Sequence, residues 1–594
     1  MNERSLREMV NQVRAGKLPR RDFIVRMVAL GVGVPLASAM LADTATAQAG
    51  ASEAPYKGTK RGGGGPLRLL FWQGPTGLNP HVATGTKDQE ASAVFYEALG
   101  RYDADGVLVP VLAAEIPSRA NGGIAADGLS TTWKLKKNVT WHDGKPFTAD
   151  DVVFNWQYAT DPATGAFTIG QYTGVKSVEK LDASTVRINF QEPTPIWDRT
   201  GAVYLVPKHL FASYMGAKAR EAPTNQKPVG TGPYKFVAFT AGDIVRGELY
   251  SGYHMPNRPY FDTIEIKGGG DATSAARAVL QTGEFDYAWN VLVEDDVLKR
   301  LEAGGKGRMV FRPTGNVEMI MLNAADPWTE VDGERANVKS KHPILSDLAV
   351  RKAFSLLVDR KSIHDFVFGR AADATSNILN NPPQFNSRAV GTEFSIDKAN
   401  ALLDGAGWKR GADGVREKNG KRLKLVFQTS INSVRQKVQT IIKQACTKAG
   451  VEIELKTVTA SVFFSSDLTN PDTYGKFFAD LEMYLFSRAG TDPDRFMQQW
   501  VSWEICQKAN GWARNNKARW SSPEYDSAFH SAEKELDPVK RAALFIQMND
   551  MVCNSGHVVT VALRKSVTAL GKSISAPLTG WDLDLSGLHD WYRT

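Results

Sequence analysis

The sequence predicts a mixed α/β protein built as lobes larger than a single domain. Three observations carry that expectation. The chain has 594 residues, several domains' worth of polypeptide. Alternating and 3.6-periodic apolar patterns are interspersed along it, with no repeat of fixed period and no low-complexity tract. A helical pattern over 433–449 runs through Gly450 straight into alternating Val451, Ile453 and Leu455. So tight a helix-to-strand connection places a helix on a sheet.

Taken in order, the chain opens on an export address. Arg20-Arg21 precedes Phe23-Ile24, an apolar run occupies 27–41, and Ala47-Gln48-Ala49 follows. The run is short for a membrane span and suits a signal peptide with a small-residue cleavage site. The arginine pair resembles a twin-arginine signal; the alternative is an ordinary secretory signal containing two arginines. Residues 1–49 are therefore expected as a signal peptide and 50–66, rich in Gly, as a flexible leader. Removing 1–49 would take away seven Lys/Arg and four Asp/Glu, leaving a net charge of +5 over 545 residues. That is too dilute for a nucleic-acid footprint, and no basic stripe with stacking aromatics occurs.

A strand is predicted at 67–72, then a turn through Gly74-Pro75 and Asn79-Pro80. Residues 131–136 alternate as a half-buried strand. Thr148 followed by Asp150-Asp151 marks a helix start, with Val152, Val153, Trp156 and Ala159 at helical spacing. Over 433–449, Val434, Val438, Ile441, Ile442 and Ala445 form one apolar face. Cys446 falls on that face as a buried thiol, and a Cys506–Cys553 bridge stays open.

Motifs for covalent chemistry fail on inspection. Gly571-Lys572-Ser573 has Ser566 where a phosphate loop needs its first glycine. Gly230-Thr231-Gly232 has Lys235 where a dinucleotide fingerprint needs glycine; it reads instead as a tight turn using glycine's free φ. The nine histidines are scattered without metal-ligand spacing. Asp492 and Asp494 flank Pro493 and offer two carboxylates, the raw material of an exported hydrolase, or the acids of an Asx turn.

Five ordered motifs then resemble one family. They are Trp141-His142-Asp143-Gly144-Lys145-Pro146-Phe147-Thr148-Ala149-Asp150-Asp151-Val152, Gly230-Thr231-Gly232-Pro233-Tyr234, Leu280-Gln281-Thr282-Gly283-Glu284-Phe285-Asp286, Val350-Arg351-Lys352-Ala353-Phe354 with Asp359-Arg360, and Leu402-Leu403-Asp404-Gly405-Ala406-Gly407-Trp408. The mature chain is similar, nearly end to end, to the extracytoplasmic solute-binding proteins that serve peptide, nickel and opine ABC importers.

The resemblance implies two α/β lobes, a hinge and a ligand held between them. Lobe I would span 67–311 with an inserted subdomain at 93–228, lobe II 312–557, and 558–594 would return to lobe I. It implies a periplasmic monomer that takes a peptide-like solute, or an opine or oligosaccharide, to a membrane permease and its ATPase, without catalysis, metal or other cofactor. Trp72, Gln73, Trp289, Asn316 and Asn377 fall where the family's cleft-lining loops lie. Tyr484, Arg488, Asp492 and Trp500 belong to the stretch that faces the ligand. Dipeptide-binding relatives place an aspartate at the position of Ala489, beside Arg488. That departure predicts against short free-amine peptides, and an arginine there favours a carboxylate or phosphate.

Overall fold

The computed structural model describes residues 9, 12, 13, 17, 18, 22, 23, 56–58, 60–83, 85–382, 385–465, 469–487, 490–512 and 514–594. The arginine pair Arg20-Arg21, the apolar run 27–41, the 47–49 site, and Arg488 with Ala489 lie outside the described residues.

Two sheets organise the chain. The first has seven strands in the order Gly307–Arg312, Ser566–Gly571, Tyr287–Ala288, Pro66–Phe71, Thr263–Gly268, Ile244–Leu249, Tyr234–Thr240. Pro66–Phe71 runs parallel to both of its neighbours. Parallel strands need a crossover, and the helix Ala272–Leu280 supplies the one between Thr263–Gly268 and Tyr287–Ala288. Its cap is Asp271, whose carboxylate accepts from the N–H groups of Thr273 and Ser274. Leu67, Leu69 and Phe71 point to one side and are fully buried with Tyr287, Ile264 and Trp591, the period of two that an extended chain imposes.

The second sheet has six strands in the order Ala372–Asp373, Val558–Arg564, Val317–Leu322, Leu481–Phe486, Lys424–Ser430, Glu452–Val458. Helix Ser433–Lys448 links the parallel pair Lys424–Ser430 and Glu452–Val458. Asn432 caps it by accepting from Val434 and Arg435 N–H at 3.1 and 3.3 Å. Gly450 ends it at φ +78°. The expected 433–449 helix and following strand are therefore present, and Cys446 is fully buried. The central strand Val317–Leu322 is buried at every position, as a strand covered on both faces must be. Alternation along Leu481–Phe486 sends Leu481 and Met483 into one apolar cluster and Tyr484 and Phe486 into the other.

A separate antiparallel sheet, Ser130–Lys134, Thr185–Phe190, Val175–Asp182, closes over a core of its own around Trp133, Trp141, Val186 and Ile188. Helix Ala149–Thr160 packs against it and starts as expected, with the Thr148/Asp151 capping box formed.

Three expectations are corrected. Strand Val558–Arg564 pairs with Val317–Leu322 in the second sheet, so the chain returns to lobe I at Lys565 and not at 558. Two consecutive apolar runs, 558–564 and 566–571, lie on opposite sides of that crossing, and nothing in their hydrophobicity marks the break. The leader is not free along its whole described length. Arg61 Nε and Nη2 donate to the carbonyls of Arg258 and Tyr253 at 2.5 and 2.6 Å, and the Gly63 and Gly65 N–H groups donate to Asp262. Finally, neither Gly230 nor Gly232 has positive φ. A Cβ on Gly230 would overlap the Phe95 carbonyl, so the glycine is required by close backbone approach.

The three cysteines are free, so Cys506 and Cys553 are not bridged. Among the described residues, no helix is long and apolar enough to cross a membrane.

Candidate functional site

The C-terminal ends of the parallel strands in each sheet lead to the same seam. From lobe I these are Phe71, continuing into Trp72-Gln73, and Ala288, continuing into Trp289-Asn290. From lobe II they are Ser430, Val458 and Phe486. Crevices at such strand ends are where open α/β sheets take ligands. The chain crosses the seam twice, at 313–316 and at Lys565. The crossings are tied together: Thr314 Oγ1 donates to the Arg564 carbonyl at 2.6 Å, and Arg564 N–H donates to the Asn316 carbonyl at 2.9 Å.

Charged groups brace both sides of the hinge. In lobe II, Glu318 is fully buried between Arg435 Nε at 2.6 Å and Arg564 Nη1 at 3.0 Å. Burial pushes its carboxyl up, but the two guanidinium charges outweigh that and hold it below its ordinary range. In lobe I, Asp584 accepts from Arg312 Nη2, Tyr287 Oη and Thr568 Oγ1 at 2.6–3.0 Å. Beside it, Glu90 accepts the N–H groups of Asp584 and Leu585 at 2.9 Å each. Burial, then the Asp584 charge, raises the Glu90 carboxyl well above its ordinary range.

The sequence-predicted residues distribute unevenly over this seam. Trp72 and Gln73 are half-buried at a strand end; Trp72 Nε1 donates to the Asn290 carbonyl at 2.9 Å. Trp289 is buried and stacks on Phe71 at 5.2 Å and 19°. Asn316 is half-buried on the first crossing. Asn377 is buried, with its amide spent on protein: Nδ2 donates to Asn386 and Ser387 at 2.8 and 3.1 Å, and Oδ1 accepts from Asn549 at 2.6 Å. Tyr484, Phe486 and Trp500 form a continuous stack, 4.5 Å and 21° at the first step, 5.6 Å and 27° at the second. The same apolar cluster contains Leu18 and Phe23, with Met9 and Val13 against it.

Asp492 and Asp494 form the Asx turn, with Asp494 N–H donating to Asp492 Oδ1 at 2.9 Å. Both carboxylates are also engaged by guanidinium groups. Arg541 grips Asp492 with two nitrogens, and Arg199 Nη1 reaches Asp494 Oδ2 at 2.6 Å across the seam. Burial raises the Asp494 carboxyl and the Arg199 charge opposes it. A second cross-seam pair joins Lys534 to Glu192 at 2.6 Å. At Gly490, φ +69°, the N–H donates to the Trp581 carbonyl at 2.7 Å, and a Cβ would lie 3.2 Å from the Tyr102 ring. Nearby, Asp198 accepts from Tyr102 Oη at 2.9 Å and is pushed up to about 6 by burial and then by Asp492. Among the described residues, no group of three or more His, Cys, Asp or Glu gathers as a metal site.

Sequence reasoning missed Arg199, Arg435, Arg541, Arg564 and Glu318. Each is separated from its partner by 49 to 295 residues, and no local pattern marks the pairing.

Two facing sheets with paired crossings are the frame of a binding protein, and comparison fixes the family. The family model described as bacterial extracellular solute-binding proteins, family 5 Middle, matches residues 107–505. The chain belongs to this family. It is 28% identical over 405 residues to the oligopeptide-binding protein AppA of Bacillus subtilis, covering 66% of this chain and 69% of that protein. It is 25% identical over 502 residues to the glutathione-binding protein GsiB of Pectobacterium atrosepticum, covering 84% and 89%. The structure of Bacillus subtilis AppA in complex with a nonapeptide superposes with a TM-score of 0.75 at 23% identity, covering 90% of this chain and 100% of that one. The AppA structure shares this two-lobed fold over nearly the whole of both chains.

Proposed function

We propose that this family 5 protein captures a peptide-like solute between its lobes and delivers it to a membrane ABC permease, acting as a monomer without covalent chemistry. The observation that carries the reading is the seam itself: strand ends of both sheets lead to it, the chain crosses it twice, and the lobes hold one another through pairs that include Arg199–Asp494 and Lys534–Glu192. Such pairs favour the closed arrangement, and a solute that touches both lobes shifts the population further toward it. The relatives' names supply the cargo class, oligopeptide and glutathione. Trp72, Gln73 and Asn316, half-buried at the seam, offer it aromatic and amide surface, and the buried Tyr484–Phe486–Trp500 stack supports that face from within lobe II. The arginine pairs on Asp492 and Asp494 argue against the hydrolase reading, because neither carboxylate is free to serve as acid or nucleophile.

Residues 1–49 act, in this reading, as a twin-arginine export signal, so the protein works in the periplasm. The test is native mass spectrometry of protein released gently from the periplasm. A retained peptide mass or ladder of masses, recovered intact after denaturation, supports capture. Turnover of the eluted material by the purified protein contradicts it.

A further inference from the structure

The short helix Asp494–Met497 and the turn Gln498–Trp500 bury Phe496, Met497 and Trp500 in lobe II. The 100° step of the helix then directs Arg495 to the other side, toward lobe I. There its guanidinium carbon lies 5.6 Å from the ring centroid of Phe167, the first residue of the turn Phe167–Tyr172. The neighbouring cation Arg199 is matched to Asp494, and Arg541 and Lys534, on the same lobe as Arg495, are matched to Asp492 and Glu192. Arg495 is partly buried and, among the described residues, has neither a carboxylate at ion-pair distance nor a hydrogen-bond acceptor. Burial, then the like charge of Arg199, pulls its guanidinium down to about 10. A partly desolvated cation without a counter-ion is unfavourable, and a guanidinium recovers most when a planar oxyanion fills its fork.

We propose that Arg495 is the anion anchor of the cleft, taking a carboxylate of the captured solute in a two-pronged pair with Phe167 behind the guanidinium. The assignment rests on the solute-capture reading and narrows it, because the cargo must then present a carboxylate at the lobe I side of the seam. Phe167 contributes a cation–π surface that holds the guanidinium plane without competing for its N–H groups. Lysine could supply charge there but not the fork.

The experiment compares the full mature protein with Arg495→Met, using a randomised tripeptide library with free C-terminal carboxylates and the same library amidated. Bound fractions are read by native mass spectrometry near neutral pH. The wild type is expected to favour the free acids about 10- to 100-fold, and Arg495→Met to bind both libraries at the amide level. Equal binding of both libraries by the wild type, or an unchanged preference in a folded Arg495→Met, overturns the assignment alone. Binding of neither library by the wild type overturns the peptide-capture reading, and this assignment with it. If Arg495→Met does not fold, Arg495→Lys is read instead: a reduced preference supports the fork, and an unchanged one overturns it.

Discussion

Removing Arg199 tests whether the lobes are held by the contacts described. Arg199 Nη1 and Asp494 Oδ2 lie 2.6 Å apart, with side chains 9% and 2% exposed. At an effective dielectric of about 20, two unit charges about 4 Å apart attract by about 4 kcal/mol. Stripping one partner from a buried pair costs about 3–5 kcal/mol, because the other charge stays desolvated. Arg199→Met imposes that cost only where Asp494 stays covered by lobe I. When the lobes part, the carboxylate regains water. The penalty therefore falls on the closed state, and about 3 kcal/mol there weakens ligand binding by about 150-fold. Isothermal titration with the ligand eluted from the protein gives the affinity, and chemical denaturation of the ligand-free protein gives the fold stability. Asp494→Asn and the double variant complete a thermodynamic cycle, and the double variant should recover part of the loss, since neither charge is then stranded. An affinity for Arg199→Met within about threefold of wild type would refute the reasoning.

Three other perturbations have defined outcomes. Glu482 is fully buried, accepts from Gln428 Nε2, and is pushed up to about 8 by burial. The folded protein thus keeps a proton that the unfolded chain has lost, so stability falls as pH rises from the ordinary glutamate range through about 8. Glu482→Gln should flatten that fall in denaturation curves taken at about pH 5 and about pH 8; an equal slope in both proteins contradicts it. Glu318→Gln leaves Arg435 and Arg564 facing each other in the hinge, and should cost about 3 kcal/mol, seen as a lower denaturation midpoint. Gly230→Ala forces a methyl group onto the Phe95 carbonyl and should lower the thermal midpoint by the equivalent of about 1–3 kcal/mol or more.

What the sequence made legible follows from the range of the signals. The helix at Ser433–Lys448, the Thr148 cap and the strand at Pro66–Phe71 are set by residues within a few positions of one another. Periodicity and capping chemistry report them directly. The Asx turn at Asp492–Asp494 was readable for the same reason. The site is a different matter. Its arginines act through partners 49 to 295 residues away, and a charge in a sequence does not announce its counter-ion. Trp289 and Trp500 show the converse: an aromatic residue near the cleft reads the same whether it faces ligand or packs in the core, and these two are buried. The crossing at Lys565 was invisible because a strand in either sheet has the same apolar pattern.

Capture between the lobes is the central claim, and one measurement addresses it most directly. Small-angle scattering of the protein stripped of ligand, followed by return of its own eluate, reports whether the lobes close on a solute. A stoichiometric decrease in radius of gyration, with the solute recovered chemically unchanged, is the predicted result. An unchanged radius at saturation, or a solute that returns cleaved, would contradict the account.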